Sequence, residues 1–199
     1  FGVWPIPDLL SKNDELAKLL QTGHWALNML LAVVVVGHVA AALKHHFIDR
    51  DDVLARDLTD ITYKYAGSCV VESGTLADPY TAQTIHFVRG RATSAKVQID
   101  HVVALENAWQ SGANTWDHTK LYQFGNDMYN LLAVDGPANQ QKGSASAAYW
   151  LPTNSEYRCD YVARQIGVKD KYGLTVTSQE KRAMLSVLHG CPAQELPES

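Results

Sequence analysis

Cysteine is scarce in these 199 residues: Cys69, Cys159 and Cys191 are the three present. That is too few for a disulfide scaffold and one too many for clean pairing. No Cys-x2-Cys or His-x3-His spacing occurs among eight histidines, which argues against structural zinc. Basic residues are also in deficit, 17 Lys+Arg against 21 Asp+Glu for a net charge of −4. No overall positive field draws in nucleic acid, so any such partner must meet a local basic surface. With 13 Gly and 7 Pro, collagen-like and low-complexity chains are excluded, and 46% hydrophobic residues exclude a disordered one. The length suits one ordinary domain plus an appendage. The chain opens on Phe1, not Met, so a processed, truncated or assembled chain is expected.

What is abundant is badly distributed. Trp25 to Leu43 (WALNMLLAVVVVGHVAAAL) holds no formal charge. As a helix it would reach roughly 28 Å, close to the ~30 Å hydrocarbon core of a bilayer. A membrane span over 25–43 is expected. A cleaved signal peptide is the rival, since Ala40-Ala41-Ala42 offers small residues. Against it, the preceding residues carry Lys12 and Lys18 but also Asp8, Asp14 and Glu15. Lys44 and Arg50 at the far end place that end in the cytoplasm by the positive-inside tendency. Residues 1–24 read as an amphipathic lead with an N-cap at Ser11.

His24 and His38 lie 14 residues apart, within about 40° of one helix face and about 21 Å apart along it. That spacing suits two axial haem ligands at opposite membrane depths. With FGVWPIPDL before it and HVAAALKHHFIDRDDVL after it, the segment resembles the last transmembrane helix of the bacterial cytochrome b561 family over about residues 1–54. The family's other three helices, which complete the haem pocket, are absent from this chain, so haem b is not expected in it alone.

Residues 49–199 read as an α+β domain, with strands at Thr59–Tyr65, Cys69–Val71, Thr84–Val88, Val97–His101 and Leu131–Val134. Helices are expected at Ala104–Gln110, Ala138–Ala148 and Ser178–Leu188, the last with Ser178 as a simple N-cap. The tail at 195–199 is expected to be disordered, and domain limits are set at 1–48 and 49–194.

The informative residues are Asp100-His101 at the end of one strand and Asn130 to Gly143 across a second strand, a turn and a helix. Phosphodiester hydrolysis needs a cation to neutralise developing charge and a base to take a proton from water. An Asp–His pair at a strand end can divide that work. Asn139 at a helix start can add a hard oxygen ligand, and Mg²⁺ keeps several waters, so one carboxylate and one amide suffice. Lys142, one turn further along that helix, can reach a phosphate oxygen as a point charge.

This order resembles the ββα-metal (HNH, or His-Me finger) nuclease core. The wider string is similar to a group of secreted bacterial HNH endonucleases. Its matching pieces are RDDVLARDLTD (50–60), SGTLADPYTAQTI (73–85), IDHVVALENAWQSGA (99–113), NLLAVDGPANQQKG (130–143), WLP (150–152) and YRCDYVARQ (157–165). The resemblance implies an HNH core with added strands and helices, preceded here by a single transmembrane helix. It implies His101 as general base, Asp100 and Asn139 as ligands of Mg²⁺ or Mn²⁺, and Asn130 as the residue that holds the loop and could orient His101. It also leaves Cys159 and Cys191 as the disulfide pair, worth about 3–4 kcal/mol on the chain-entropy model, with Cys69 unpartnered.

DNA contact is expected from Arg89, Arg91, Lys96, Arg158 and Arg164, through phosphates and with little sequence specificity. Lys169 and Lys171 read as a solvated face. Trp109, Trp116 and Trp150 read as core or insert packing, not stacking platforms. Two further readings stay open: a cytochrome b561-like electron-transfer fragment with an inactive passenger, and a catalytically dead binding module. The two resemblances also conflict over topology, because the b561-like helix places the nuclease in the cytoplasm and the secreted nucleases place it outside. An extracytoplasmic nuclease, anchored or exported, is the expectation.

Overall fold

The computed structural model describes residues 15, 18, 20–25, 27–29 and 49–197. Chain contacts divide the protein into Phe1–His45 and His46–Ser199. In the first unit the described residues are helical, and His24 Nδ1 lies 3.0 Å from Asn28 Nδ2. His38 and most of the expected span at 25–43 lie outside the described residues. Among the described residues no helix is long and apolar enough to cross a membrane.

The second unit begins with helix α1 (Asp49–Asp57), followed by an antiparallel sheet of β1 (Thr59–Tyr63), β2 (Val71–Ala77) and β3 (Thr84–Val88) in that order. The strand expected at 69–71 instead starts at Val71 and runs on to Ala77. Within it, Gly74 lies close against the chain leaving α1: a Cβ there would stand 2.8 Å from Leu58 Cδ2 and 3.2 Å from the Thr59 carbonyl oxygen, so glycine eases this approach.

A second sheet pairs β4 (Val97–His101) with β5 (Leu131–Asp135), antiparallel, with His101 opposite Leu131 and Val97 opposite Asp135. Between them lie α2 (Leu105–Gln110) and α3 (His118–Gly125). After β5 comes α4 (Gly136–Lys142), then α5 (Arg158–Tyr172) and α6 (Ser178–Leu188). Strand β5 is apolar on both faces because both are covered. Leu131 and Ala133 pack with Val53, Leu76 and Phe87, while Leu132 and Val134 pack with Tyr161, Val162 and Met184.

Helix α4 opens two residues earlier than expected. Asp135 caps it by accepting from the Ala138 N–H at 2.9 Å, and Pro137 stands in its first turn. It ends at Lys142 rather than 148, since Gly143 takes φ 51°. A Cβ on Gly136 would stand 2.0 Å from the Ala95 carbonyl oxygen, so glycine is what seats this helix against the approach to β4.

Helix α6 is capped by Thr177, one residue before the expected Ser178, with Thr177 Oγ1 accepting from the Glu180 N–H at 3.1 Å. The Glu180 carboxylate pairs with Lys169 at 2.8 Å, both side chains buried. Lys169 therefore ties α5 to α6 instead of lying on a solvated face. Cys159 and Cys191 are disulfide-bonded, with Cα atoms 6.4 Å apart, and Cys69 is free and exposed. The tail is tied through Pro197, whose carbonyl accepts from the Tyr129 hydroxyl at 3.1 Å, and Gln194 donates to Asp160 at 2.8 Å.

Candidate active site

Side chains alternate along a strand, so Gln98 and Asp100 share one face of β4. Residues three apart share one face of a helix, so Asn139 and Lys142 share a face of α4. The two faces are in register. Asn139 Nδ2 donates to Gln98 Oε1 at 3.0 Å, and Lys142 Nζ donates to Asp100 Oδ1 at 2.9 Å. Lys142 also donates to the His101 carbonyl at 2.9 Å. With 0% of its side chain exposed, Lys142 cannot serve as the outward phosphate contact expected of it. It is buried counter-charge and backbone tie.

Asp100 receives a second donor, the Tyr80 hydroxyl, at 2.5 Å on Oδ2. Burial pushes the Asp100 carboxyl above its ordinary range, against the pull of the Lys142 charge and of both hydrogen bonds. Burial and the neighbouring carboxylate push the Tyr80 phenol far up, so it stays a donor. Tyr80 is delivered by a locked turn. Asp78 Oδ2 accepts from the Thr81 N–H at 2.7 Å, Asp78 Oδ1 accepts from the Asp135 N–H at 2.8 Å, and the Asn154 N–H donates to the Tyr80 carbonyl at 2.9 Å.

His101 points to the other face. Its Nε2 donates to the Gly125 carbonyl, at the C-terminus of α3, at 2.8 Å. A carbonyl can only accept, so in the neutral ring Nδ1 carries the lone pair. The Asn130 side chain is engaged with the backbone of Val103. Fully buried, its Oδ1 accepts from the Val103 N–H at 2.8 Å and its Nδ2 donates to the Val103 carbonyl at 3.1 Å. Its own carbonyl accepts from the Val102 N–H at 2.8 Å. It fixes the path of the chain leaving β4, while the Gly125 carbonyl accepts from the imidazole.

Asp100, His101 and Asn139 line one cleft of about 250 Å³, together with Leu105, Glu106 and Ser144. The amide nitrogen of Asn139 donates to Gln98, which leaves its Oδ1 as the atom that could face a cation. Among the described residues, no three His, Cys, Asp or Glu side chains gather to hold a metal. A carboxylate and an amide are oxygen donors, a set suited to a hard cation that keeps waters. Each Asp100 oxygen takes one hydrogen bond, and a carboxylate has about four lone-pair sites, so the residues present fit such an ion.

The expected basic contacts divide. Arg89 pairs with buried Asp51 and donates to the Val71 carbonyl at 2.6 Å. Arg164 donates to the Tyr129 carbonyl at 2.8 Å and reaches those of Met128 and Leu131 at 3.3 Å. Arg158 donates to the Pro152 carbonyl at 2.8 Å. These three tie backbone together. Arg91 and Lys96 are exposed.

A family model described as the C-terminal domain of GmrSD restriction endonucleases matches residues 48–187. The chain belongs to that family. The GmrSD C-terminal match takes in Tyr80, Asp100, His101, Asn130, Asn139 and Lys142, and stops short of Cys191. A model of prokaryotic cytochrome b561 matches residues 1–59, so the two matches overlap over 48–59. A relative from Arthroderma benhamiae, named an uncharacterized secreted protein, is 40% identical over 144 residues, covering 71% of this chain and 67% of that one.

Four participants carry no clear mark in the sequence. Tyr80 lies within SGTLADPYTAQTI (73–85), but its link to Asp100 is tertiary. Gln98 is signalled only by lying two residues before Asp100 on a strand. Glu106 reads as an ordinary helix-start acid. The Gly125 carbonyl is backbone and has no residue signature at all.

Proposed function

We propose that this domain is a metal-dependent endonuclease of the HNH (ββα-metal) type that hydrolyses nucleic-acid phosphodiesters. The carrying observation is the single cleft shared by the Asp100 carboxylate, the Asn139 amide and a His101 ring whose Nε2 is anchored on the Gly125 carbonyl. Family membership and the antiparallel β4–β5 pair followed by α4 support the same reading.

Asp100 and Asn139 would hold a divalent ion, Mg²⁺ or Mn²⁺, which when bound would neutralise charge developing on the phosphate. His101 accepts a proton from water at Nδ1, while the Gly125 carbonyl stabilises the resulting imidazolium through Nε2–H. Lys142 and Tyr80 fix both oxygens of Asp100, and Asn130 fixes the chain beyond His101. Arg91 and Lys96 supply phosphate contacts, which carry no base information, so specificity is low. The secreted name of the relative supports an extracytoplasmic site of action, where the Cys159–Cys191 disulfide persists.

Plasmid DNA incubated with Mg²⁺ tests the reading. The wild-type chain nicks and linearises it, and His101→Ala does not while remaining folded. Equal cutting by both overturns the assignment of His101.

A further inference from the structure

The helix that follows the catalytic strand presents the wrong residues to solvent. On α2, Ala108 faces the core with Val103 and Phe124, at 1% exposure. Leu105 and Trp109, four residues apart on one helix face, are 52% and 49% exposed. A half-bare indole next to a half-bare leucine leaves apolar surface in water that a packed helix would cover. The ledge is continuous with the cleft, because Leu105 lines it alongside His101 and Asn139.

The ledge also lacks the charge a phosphate needs. From Ala104 to Gly112 there is no Lys or Arg. The polar residues of α2 are Glu106, Asn107 and Gln110, and Gln110 donates to Glu106 at 2.7 Å. A carboxylate repels the sugar-phosphate backbone, whereas an uncharged planar ring can lie on indole and leucine. A base inside a duplex has no free face to offer, so the ring must be unpaired.

We propose that Leu105 and Trp109 form the seat for an unpaired nucleobase beside the scissile phosphate, so that the enzyme prefers single-stranded nucleic acid or frayed ends. This rests on the nuclease reading above and narrows its substrate class.

The test uses the full chain carrying His101→Ala, which binds without cutting, and a short fluorescein-labelled oligodeoxythymidylate offered alone or paired with its complement, in Mg²⁺. The single strand binds more tightly and quenches tryptophan emission. Adding Trp109→Ala weakens single-strand binding about 5- to 150-fold, the range for loss of one base–aromatic stack, with little change for the duplex. Trp109→Tyr restores most of the affinity but not the quenching. Unchanged single-strand affinity in Trp109→Ala, an equal loss for both forms, or binding of neither form by the parent overturns the seat. Cleavage by the chain with native His101 separates the two claims. If that chain cuts no nucleic acid, the nuclease reading fails. If it cuts single and double strands at rates that Trp109→Ala leaves unchanged, the seat alone fails.

Discussion

Lys142 Nζ stands 2.9 Å from Asp100 Oδ1 in a pair whose side chains are 0% and 5% exposed, and the Tyr80 hydroxyl caps the other oxygen. A buried pair of this kind adds little net stability over a well-packed apolar one, but removing one partner strands the other charge. Lys142→Met is therefore expected to cost about 3–5 kcal/mol. Lys142→Met combined with Asp100→Asn should cost less than Lys142→Met alone, because no carboxylate is left stranded. Urea denaturation checks both, and a Lys142→Met cost below about 1 kcal/mol, the range of exposed pairs, would contradict the buried pairing.

Asn130 satisfies both backbone groups of Val103. Asn130→Ala leaves a buried N–H and a buried carbonyl unpaired, at about 1–3 kcal/mol each. Cleavage should fall as well, since the chain leaving His101 loses its tether. A variant with native stability and native activity would refute this role. Far-ultraviolet melting with a plasmid assay reads both quantities.

Asp127 contributes to the acid limb of stability. Burial would raise its carboxyl, but the Lys171 ammonium, the Tyr129 N–H and the Tyr172 hydroxyl outweigh burial and hold it below its ordinary 3.8. A depressed carboxyl stabilises the fold above its unfolded value and stops doing so as pH falls through its folded value. Stability should thus decline below about pH 4, and Asp127→Asn should flatten that decline. Chemical denaturation across pH shows it, and an unchanged acid limb in Asp127→Asn would count against the network.

The disulfide joins residues 32 apart in sequence, linking the start of α5 to the residues beyond α6. Reduction, or Cys159→Ser with Cys191→Ser, should cost about 3–4 kcal/mol. Exposed Cys69 is unbonded, and Cys69→Ser should stay within about 0.5 kcal/mol. Thermal melts with and without dithiothreitol distinguish the two.

The residues that gather at the candidate site are more legible in the sequence than the scaffold holding them. Strands β3 and β4 and helix α6 follow from clean apolar runs and turn signals, with the bounds expected. Helix α5, the longest in the second unit, gives no clean period because Gln165, Gly167 and Lys169 are buried beside Tyr161, Val162 and Val168. Their polar groups are satisfied across the fold, as where Gln165 Nε2 donates to the Val102 carbonyl at 2.9 Å. The same blindness affected the arginines. Arg89 and Arg164 have the look of phosphate contacts in sequence and are spent on a buried carboxylate and on backbone carbonyls. Trp109 goes the opposite way, reading as packing while standing half exposed four residues along α2 from Leu105, which lines the cleft. Charge and hydrophobicity show what a residue can do, while tertiary partners determine which of those things it does.

Binding of Mn²⁺ to the folded His101→Ala protein, followed by the loss of the free-ion electron paramagnetic resonance signal, tests the site most directly. The account predicts a bound ion that is lost on adding Asn139→Ala, or Asp100→Asn together with Lys142→Met so that no buried charge is stranded, with the fold retained. Undiminished Mn²⁺ binding in both of those folded variants would contradict it.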